Sequence, residues 1–359
     1  MTLSTKWKRT FSLITLFVAP SPLVAQDVRI GVLGLFHPRE FVVSAVPGSG
    51  CVVRTGEKEL VLEGSSGVSE VRLRFMGGAI AVETPDGATR SGAVTVASRD
   101  NGSADFMLAI PGKIARRYHG TLRVIPSSAS LLAVVSMDLE TAVASVVAAE
   151  SGPDAPVEAL KAQAVVARSY LLAAKGRHHG FDFCDTTHCQ FLREPPASDT
   201  IVGRAVAETS GFVLTYDAEP LAAMYMRSCA GSTRTLTDVG LRTQGYPYYR
   251  VSCKYCREHP STWQSKISSE GATDLRPSNE SARLDIDRLL GWSTVPSNTF
   301  TMRSSGDNVL LQGVGQGHGV GMCQAGAAAM AREGASFLEI LAHYYPNTAV
   351  TNFKIANNH

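Results

Sequence analysis

Met137-Asp138-Leu139-Glu-Thr-Ala-Val-Ala-Ser-Val-Val-Ala-Ala-Glu150-Ser151-Gly152-Pro153 marks the point at which this chain changes character. The short acidic side chain of Asp138 suits the accepting position ahead of a first helical turn, so a helix is expected from Leu139 through Val147, ending near Glu150. Ser151-Gly152-Pro153 then breaks it. A second helix is expected to begin near Pro156, a residue suited to a first turn, and to run through Leu172 to a stop near Gly176. Leu160, Ala164, Ala167 and Leu171 recur at steps of three and four, which places them on one face. The many alanines allow close approach of a neighbouring element. Glu150 therefore stands in a turn between two helices, where a carboxylate can project into a cleft.

Towards the N-terminus the pattern is that of strands. Val28–Phe36, Phe41–Ala45, Glu70–Phe75, Ala81–Val82 and Leu122–Ile125 are β-branched runs punctuated by turn residues such as Gly77-Gly78 and Asp100-Asn-Gly102. Pro126-Ser-Ser128 reads as a boundary or a strand-ending turn. Beyond the helix pair, strands are expected at Phe212–Tyr216 and Leu221–Tyr225, followed by a loop-rich stretch after Cys229. A glycine-dense loop, Gly313–Gly321, leads into an alanine-rich helix over Gln324–Ala331, and a last helix is expected around Phe337–Tyr344. The expected class is α+β: a β-rich N-terminal segment, 26–130, followed by a mixed helix and strand core with a cleft, 131–356.

Residues 1–25 have the form of a secretory leader, with Lys6, Lys8 and Arg9 ahead of an apolar run from Phe11 to Ala19 and a small-residue end at Leu23-Val24-Ala25. The run is shorter than the ~20 residues a spanning helix needs, so export with cleavage is expected rather than anchoring. The chain has 34 basic and 32 acidic residues, and all three charges in the leader are basic. The remainder therefore carries 31 basic against 32 acidic residues, which leaves no excess to neutralise phosphates and disfavours nucleic-acid binding.

Four places can carry chemistry. Glu150 follows Val146-Val-Ala-Ala149, a setting apolar enough to raise a carboxyl pKa towards general-acid use. Cys184-Asp-Thr-Thr-His188-Cys189-Gln190 concentrates two thiols and an imidazole in six residues. With His178 or His179 it makes a four-ligand zinc set; a Cys184–Cys189 disulfide and a thiol assisted by His188 are the alternatives. The glycine loop lacks the strand–helix setting and the Lys-Ser/Thr pair of a nucleotide site, and reads as close backbone approach to a ligand, with His318 and Gln324 as polar contacts. Ser228-Cys229-Ala-Gly-Ser-Thr233 is a second small-residue loop, without a visible acid–base partner for a serine nucleophile. Among the seven cysteines, Cys51 and Cys229 stand isolated, while Cys253-Lys-Tyr-Cys256 reads first as a local disulfide, then as half a zinc site or a redox pair.

Five segments, in this order, resemble one family: Val146–Glu150, Glu158–Tyr170, Cys184–Gln190, Gly317–Met322 with Gln324, and His343–Pro346. The chain resembles the SpoIID/LytB family, the stage II sporulation protein D peptidoglycan lytic transglycosylases and the related amidase enhancers, over about residues 130–350. The resemblance implies an exported enzyme of the periplasm or cell wall acting on peptidoglycan glycan strands, with a cell-wall amidase as a potential partner. It implies that Glu150 serves as general acid and then base, opening the glycosidic bond between N-acetylmuramic acid and N-acetylglucosamine with closure of a 1,6-anhydro ring. It implies structural zinc on His178, Cys184, His188 and Cys189, and glycan contacts from Arg168, Tyr170, Ser228, His318 and Gln324. The sequence departs from the family pattern at Met226, where histidine is frequent, at Cys229, where serine is common, and in the Cys253–Cys256 pair.

Overall fold

The computed structural model describes residues 27–353, apart from 57, 64–67, 187, 243 and 244; the expected leader lies outside the described residues. The class is α+β, as the sequence predicts. Among the described residues no helix is long and apolar enough to cross a membrane.

The N-terminal part is one strand-rich body. From its edge the order is Phe183–Cys184, Asp27–Val32, Ser130–Asp138, Ile114–Ser127, Ala104–Ile110, Glu40–Ala45, Glu70–Phe75, Ile80–Thr84 and Gly87–Ser91, with Gly50–Thr55, Lys58–Glu63 and Val94–Ala97 branching from it. The strand Ile114–Ser127 is shared: its first half pairs with Ala104–Ile110 and its second half with Ser130–Ser136. The bend falls at Gly120, whose φ of +148° and whose contact with the Ser136 carbonyl leave no room for a Cβ. The Pro126-Ser-Ser128 stretch is the strand-ending turn that the sequence allows. It leads into a hairpin turn through Ser128 at φ +49°, and the strand after it belongs to the same sheet. The expected strand over Val28–Phe36 ends at Val32, because Leu33 and His37 adopt left-handed backbone around a 3-10 turn at Gly34–Phe36.

Helix α1, Leu139–Glu150, starts where Asp138 accepts from the Thr141 amide at 3.0 Å. Helix α2, Val157–Ala173, is buried along nearly its whole length and joins two cores. Leu160, Ala164, Ala167 and Leu171 face the N-terminal core, as their spacing predicts, while Ala162, Val165 and Val166 face a second core. That second core is built by α4 (Lys254–Glu258), α6 (Gln324–Arg332), α7 (Phe337–Tyr344) and the strand Phe212–Tyr216, with α3 (Ile201–Glu208) on the first core. The stretch after Cys229 is more ordered than its loop-like composition suggests. Thr262–Ser268, Phe300–Ser305 and Asn308–Val314 form a three-stranded antiparallel sheet carrying α5, Glu280–Leu290, over a small third core. The expected strand at Leu221–Tyr225 is reduced to the two-residue pairing of Tyr225-Met226 with Met322-Cys323.

Candidate active site

Glu150 is the last residue of α1, where the helix dipole presents its negative end and disfavours a further negative charge. Its carboxyl is held up from the usual carboxylate range, with burial the largest cause. The Phe191 amide donates to Oε1 at 2.9 Å and opposes that rise, as do Tyr225 and the nearby Arg227 guanidinium. The Tyr225 hydroxyl lies beside the carboxyl, wholly buried, without a well-formed hydrogen bond to any group among the described residues. A donor so placed can serve the ionised Glu150 carboxylate.

The carboxyl opens into a cleft of about 280 Å³ lined by Glu150 to Ala155, Gln163, Arg227, Tyr255, Gln324 and Arg332 among others. Gln324 fixes one wall: its Nε2 donates to the Glu150 carbonyl and to Gln163 Oε1, both at 3.2 Å. Arg227 is exposed, as a group that meets a polar ligand must be. The second carboxylate of the cleft, Asp154, is exposed on the loop after α1.

The loop that delivers the Phe191 amide also carries the Cys–His cluster. His178, Cys184, His188 and Cys189 present ligand atoms that all lie within 4.8 Å of one another. His178 Nε2 is 3.2 Å from Cys189 Sγ, and His188 Nδ1 is 3.6 Å from both sulfurs. His178, stacked on Phe181 with centroids 4.6 Å apart, takes the fourth position, and His179 is not in the group. Both thiols are free. Two sulfur and two nitrogen donors converging on one point are a chemical fit for tetrahedral zinc. The loop is anchored independently of any ion. Phe183 and Cys184 pair with Ile30 and Gly31, Arg29 forks onto Asp182, and buried Asp185 meets Arg116 at 3.1 Å and the Leu33 amide at 3.3 Å. The amide that touches Glu150 belongs to Phe191, two positions past Cys189, and Gln190 between them is buried with its side-chain amide unpaired.

Of the side chains expected to contact substrate, only Gln324 lines the cleft. Arg168 does not belong there. It is 0% exposed, forks onto Glu140 at 2.8 and 2.7 Å, and donates to the Phe212 carbonyl at 2.9 Å, so it ties α2 to α1 and the strand Phe212–Tyr216. Tyr170 is buried with its hydroxyl on Arg177 and its ring 5.8 Å from Phe183, where it braces the Cys–His loop from behind. Ser228 is buried in a backbone bridge to Gln316. His318 accepts from the Val320 amide at Nδ1 and bonds the Tyr225 carbonyl, and burial keeps its pKa below the usual histidine value. It supports the backbone of Tyr225 rather than a ligand. The glycines of 313–321 have the same role: Gly315 and Gly321, at φ +89° and +77°, let this loop lie directly on the backbone of Met224 to Cys229. The close approach is real, but the partner is the protein's own chain.

Sequence reasoning passed over Tyr225, Arg227, Gln163 and the Phe191 amide. Tyr225 and Arg227 alternate along one extended segment, a spacing that sets both on one side. The Phe191 amide has no side-chain signature. The Cys253–Cys256 pair is not a local disulfide: both thiols are free and gather with Cys229 and Cys323.

Residues 127–216 match the SpoIID family, Stage II sporulation protein. The chain is 28% identical to Stage II sporulation protein D of Bacillus subtilis, over 68% of this chain and 84% of that protein. An uncharacterized protein of Brachyspira hyodysenteriae is also 28% identical, over 67% of this chain and 74% of its own length. The amidase enhancer of Bacillus subtilis matches at 35% identity over 69 residues, 19% of this chain and 10% of the enhancer.

Proposed function

Because this chain belongs to the SpoIID/LytB family, we propose that it acts on the cell wall as a peptidoglycan lytic transglycosylase with Glu150 as its single acid/base. The observation that carries this reading is one buried, pKa-raised carboxyl at the end of α1, opening into a cleft with the buried Tyr225 hydroxyl beside it. Protonated Glu150 gives its proton to the glycosidic oxygen as the muramoyl C1–O bond breaks. The muramoyl 6-hydroxyl then closes on C1 and its proton returns to the Glu150 carboxylate. No water is consumed, and one carboxyl serves both halves, unlike the acid and second carboxylate of ordinary glycoside hydrolysis.

Tyr225 and Arg227 are suited to holding the ionised intermediate state of Glu150, and the Phe191 amide fixes the carboxyl's orientation. Zinc, held by His178, Cys184, His188 and Cys189, would supply structural fixation of that loop. The proton transfers belong to Glu150 alone. The site of action under this reading is the periplasm or wall, consistent with the leader-like 1–25.

The test is mass spectrometry of muropeptides released from purified sacculi. Wild type is expected to yield anhydro-ended products, and Glu150→Gln to lose at least about 10²-fold in rate, the usual contribution of a general acid, while melting as a folded protein. Undiminished anhydro release by Glu150→Gln removes Glu150 from the mechanism. The 69-residue match to an amidase enhancer supports a second reading, a wall-binding activator. That reading is favoured by binding to sacculi and stimulation of an amidase without any anhydro product.

A further inference from the structure

A second four-ligand group lies next to residues that line the cleft, and the chemistry described so far does not use it. Cys229, Cys253, Cys256 and Cys323 come from three separate segments, yet their sulfurs all lie within 4.8 Å of one another, and Cys256 and Cys323 are 3.5 Å apart. All four are buried and none is in a disulfide. A disulfide needs sulfurs ~2.05 Å apart. Tetrahedral zinc with Zn–S bonds of ~2.3 Å sets its sulfurs about 3.8 Å apart, which is the spacing range seen here. The separation is also that of a single ion rather than of a larger iron–sulfur cage.

The surroundings are those of thiolates. The amides of Cys229 and Gly326 donate to Cys323 Sγ at 3.3 and 3.4 Å, and the Tyr344 hydroxyl donates to Cys253 Sγ at 3.6 Å. Outer bonds of this kind orient metal ligands and stabilise their charge. Gly326 makes the space: a Cβ there would collide with the Tyr344 hydroxyl and come within 2.6 Å of Cys253 Sγ.

We propose that Cys229, Cys253, Cys256 and Cys323 bind one structural zinc ion as a closed four-thiolate site. Each ligand neighbours a residue of the cleft. Cys229 follows Arg227 by two, Tyr255 lies between Cys253 and Cys256, and Cys323 precedes Gln324. The ion would knot three of the segments that line the cleft. A four-sulfur site has no open position, so it contributes to shape and not to proton transfer.

The test is metal analysis and zinc X-ray absorption on the full-length purified protein, with no activity required. Two zinc ions per chain, with a mean first shell of three sulfurs and one nitrogen, are expected from one four-sulfur and one two-sulfur, two-nitrogen site. Cys256→Ser is expected to reduce the count to one and shift the mean shell to two sulfurs and two nitrogens, while His178→Ala leaves a pure sulfur shell. If Cys256→Ser fails to fold, the wild-type shell still decides. One zinc with two sulfurs and two nitrogens in wild type overturns the proposal, as does iron in the thiolate site or an intact mass four units low with these cysteines protected from alkylation. One zinc with four sulfurs supports this site and sinks the Cys–His one, so the two assignments fail separately.

Discussion

Arg168 offers a sharp test of how this site is divided between support and contact, because a motif match and the packing assign it opposite roles. Consider Arg168→Met, which keeps an unbranched apolar stem and removes the guanidinium. Glu140 then loses both of its short charged bonds, and the Phe212 carbonyl loses its donor. Removing one partner of a buried ion pair costs about 3–5 kcal/mol, chiefly through the charge left behind. The Glu140 side chain is 24% exposed and can regain some water, so the lower end, about 3 kcal/mol, applies. Unfolding entropy of roughly 2.1 cal/mol/K per residue over a chain of this size gives about 0.7 kcal/mol/K, and therefore a fall in melting temperature of about 4 °C. The Glu140→Gln/Arg168→Met double variant removes the stranded charge and is expected to recover more than half of the loss. Differential scanning calorimetry measures the stability, and anhydro-muropeptide release well below the melting point measures function per folded molecule. Unchanged KM with lowered stability fits a strut between α1 and α2. A raised KM with the melting temperature intact would return Arg168 to the glycan and refute the argument from burial.

Three further outcomes follow from the same geometry. Because burial raises the Glu150 pKa, the rate is expected to fall as pH rises through its folded value. The stability Glu150 contributes is full below its unfolded pKa and lost across the same interval, so Glu150→Gln should gain stability relative to wild type at neutral pH; a destabilised variant there, in a pH-scanned melt, sinks the burial argument. Asp154→Asn, altering the exposed carboxylate of the cleft, should leave the anhydro product and its rate within about twofold, whereas a loss of ~10²-fold would point to a two-carboxylate hydrolase. His178→Ala should lower the rate while Glu150 remains in place, because the loop that carries Cys189 also carries the Phe191 amide; hydrogen exchange at residues 183–191 should rise with it, and an unaltered rate with an exchanging loop would separate the cluster from the acid.

Much of the site's frame was legible because it is written in local patterns. Asp138 caps α1, the three-and-four spacing of Leu160 to Leu171 faces the first core, and Cys184 to Cys189 needs only one more ligand nearby. What the sequence concealed depends on pairing between distant segments. The glycine loop has the composition of a ligand cradle, and nothing local distinguishes that from a seat for residues 224–229. Arg168 sits in a matched motif, but motifs mark constraint without saying whether the constraint is a substrate or an ion pair. The sheet behind Cys229 was read as loop because its strands are short, polar on their exposed faces and interrupted by α5. Cys229 stands isolated in the sequence for the same reason: 94 residues separate it from Cys323, and pairing between distant segments, such as Tyr225-Met226 with Met322-Cys323, brings the two together.

That last pairing changes how the cleft is understood. On one side, the Cys–His loop runs two residues past Cys189 to the amide on Glu150. On the other, the four cysteines stand one or two residues from Arg227, Tyr255 and Gln324. Long flexible connections between distant segments carry a closure entropy that grows slowly with length, so a metal ion in each of the two proposed sites would hold these segments together over long separations in sequence. The Glu150 carboxyl, the proposed acid, lies between segments of the two cores rather than inside one of them. Among the described residues α2, packed on both cores, and the Gln324 bonds to the Glu150 carbonyl and Gln163 span the two, as do the Arg168 fork onto Glu140 and the Phe212 carbonyl and the Arg332 bond to the Asp154 carbonyl. Gln324→Ala removes the second of these without touching either thiol group. It should lower the rate while the zinc content holds, and its effect should exceed that of Arg332→Ala, a cleft-lining change that leaves the Gln324 bonds intact and removes one long, exposed bond of 3.4 Å to the Asp154 carbonyl. Equal small losses from both would mean that the walls are held by their own knots alone, and that the bridge through Gln324 is incidental.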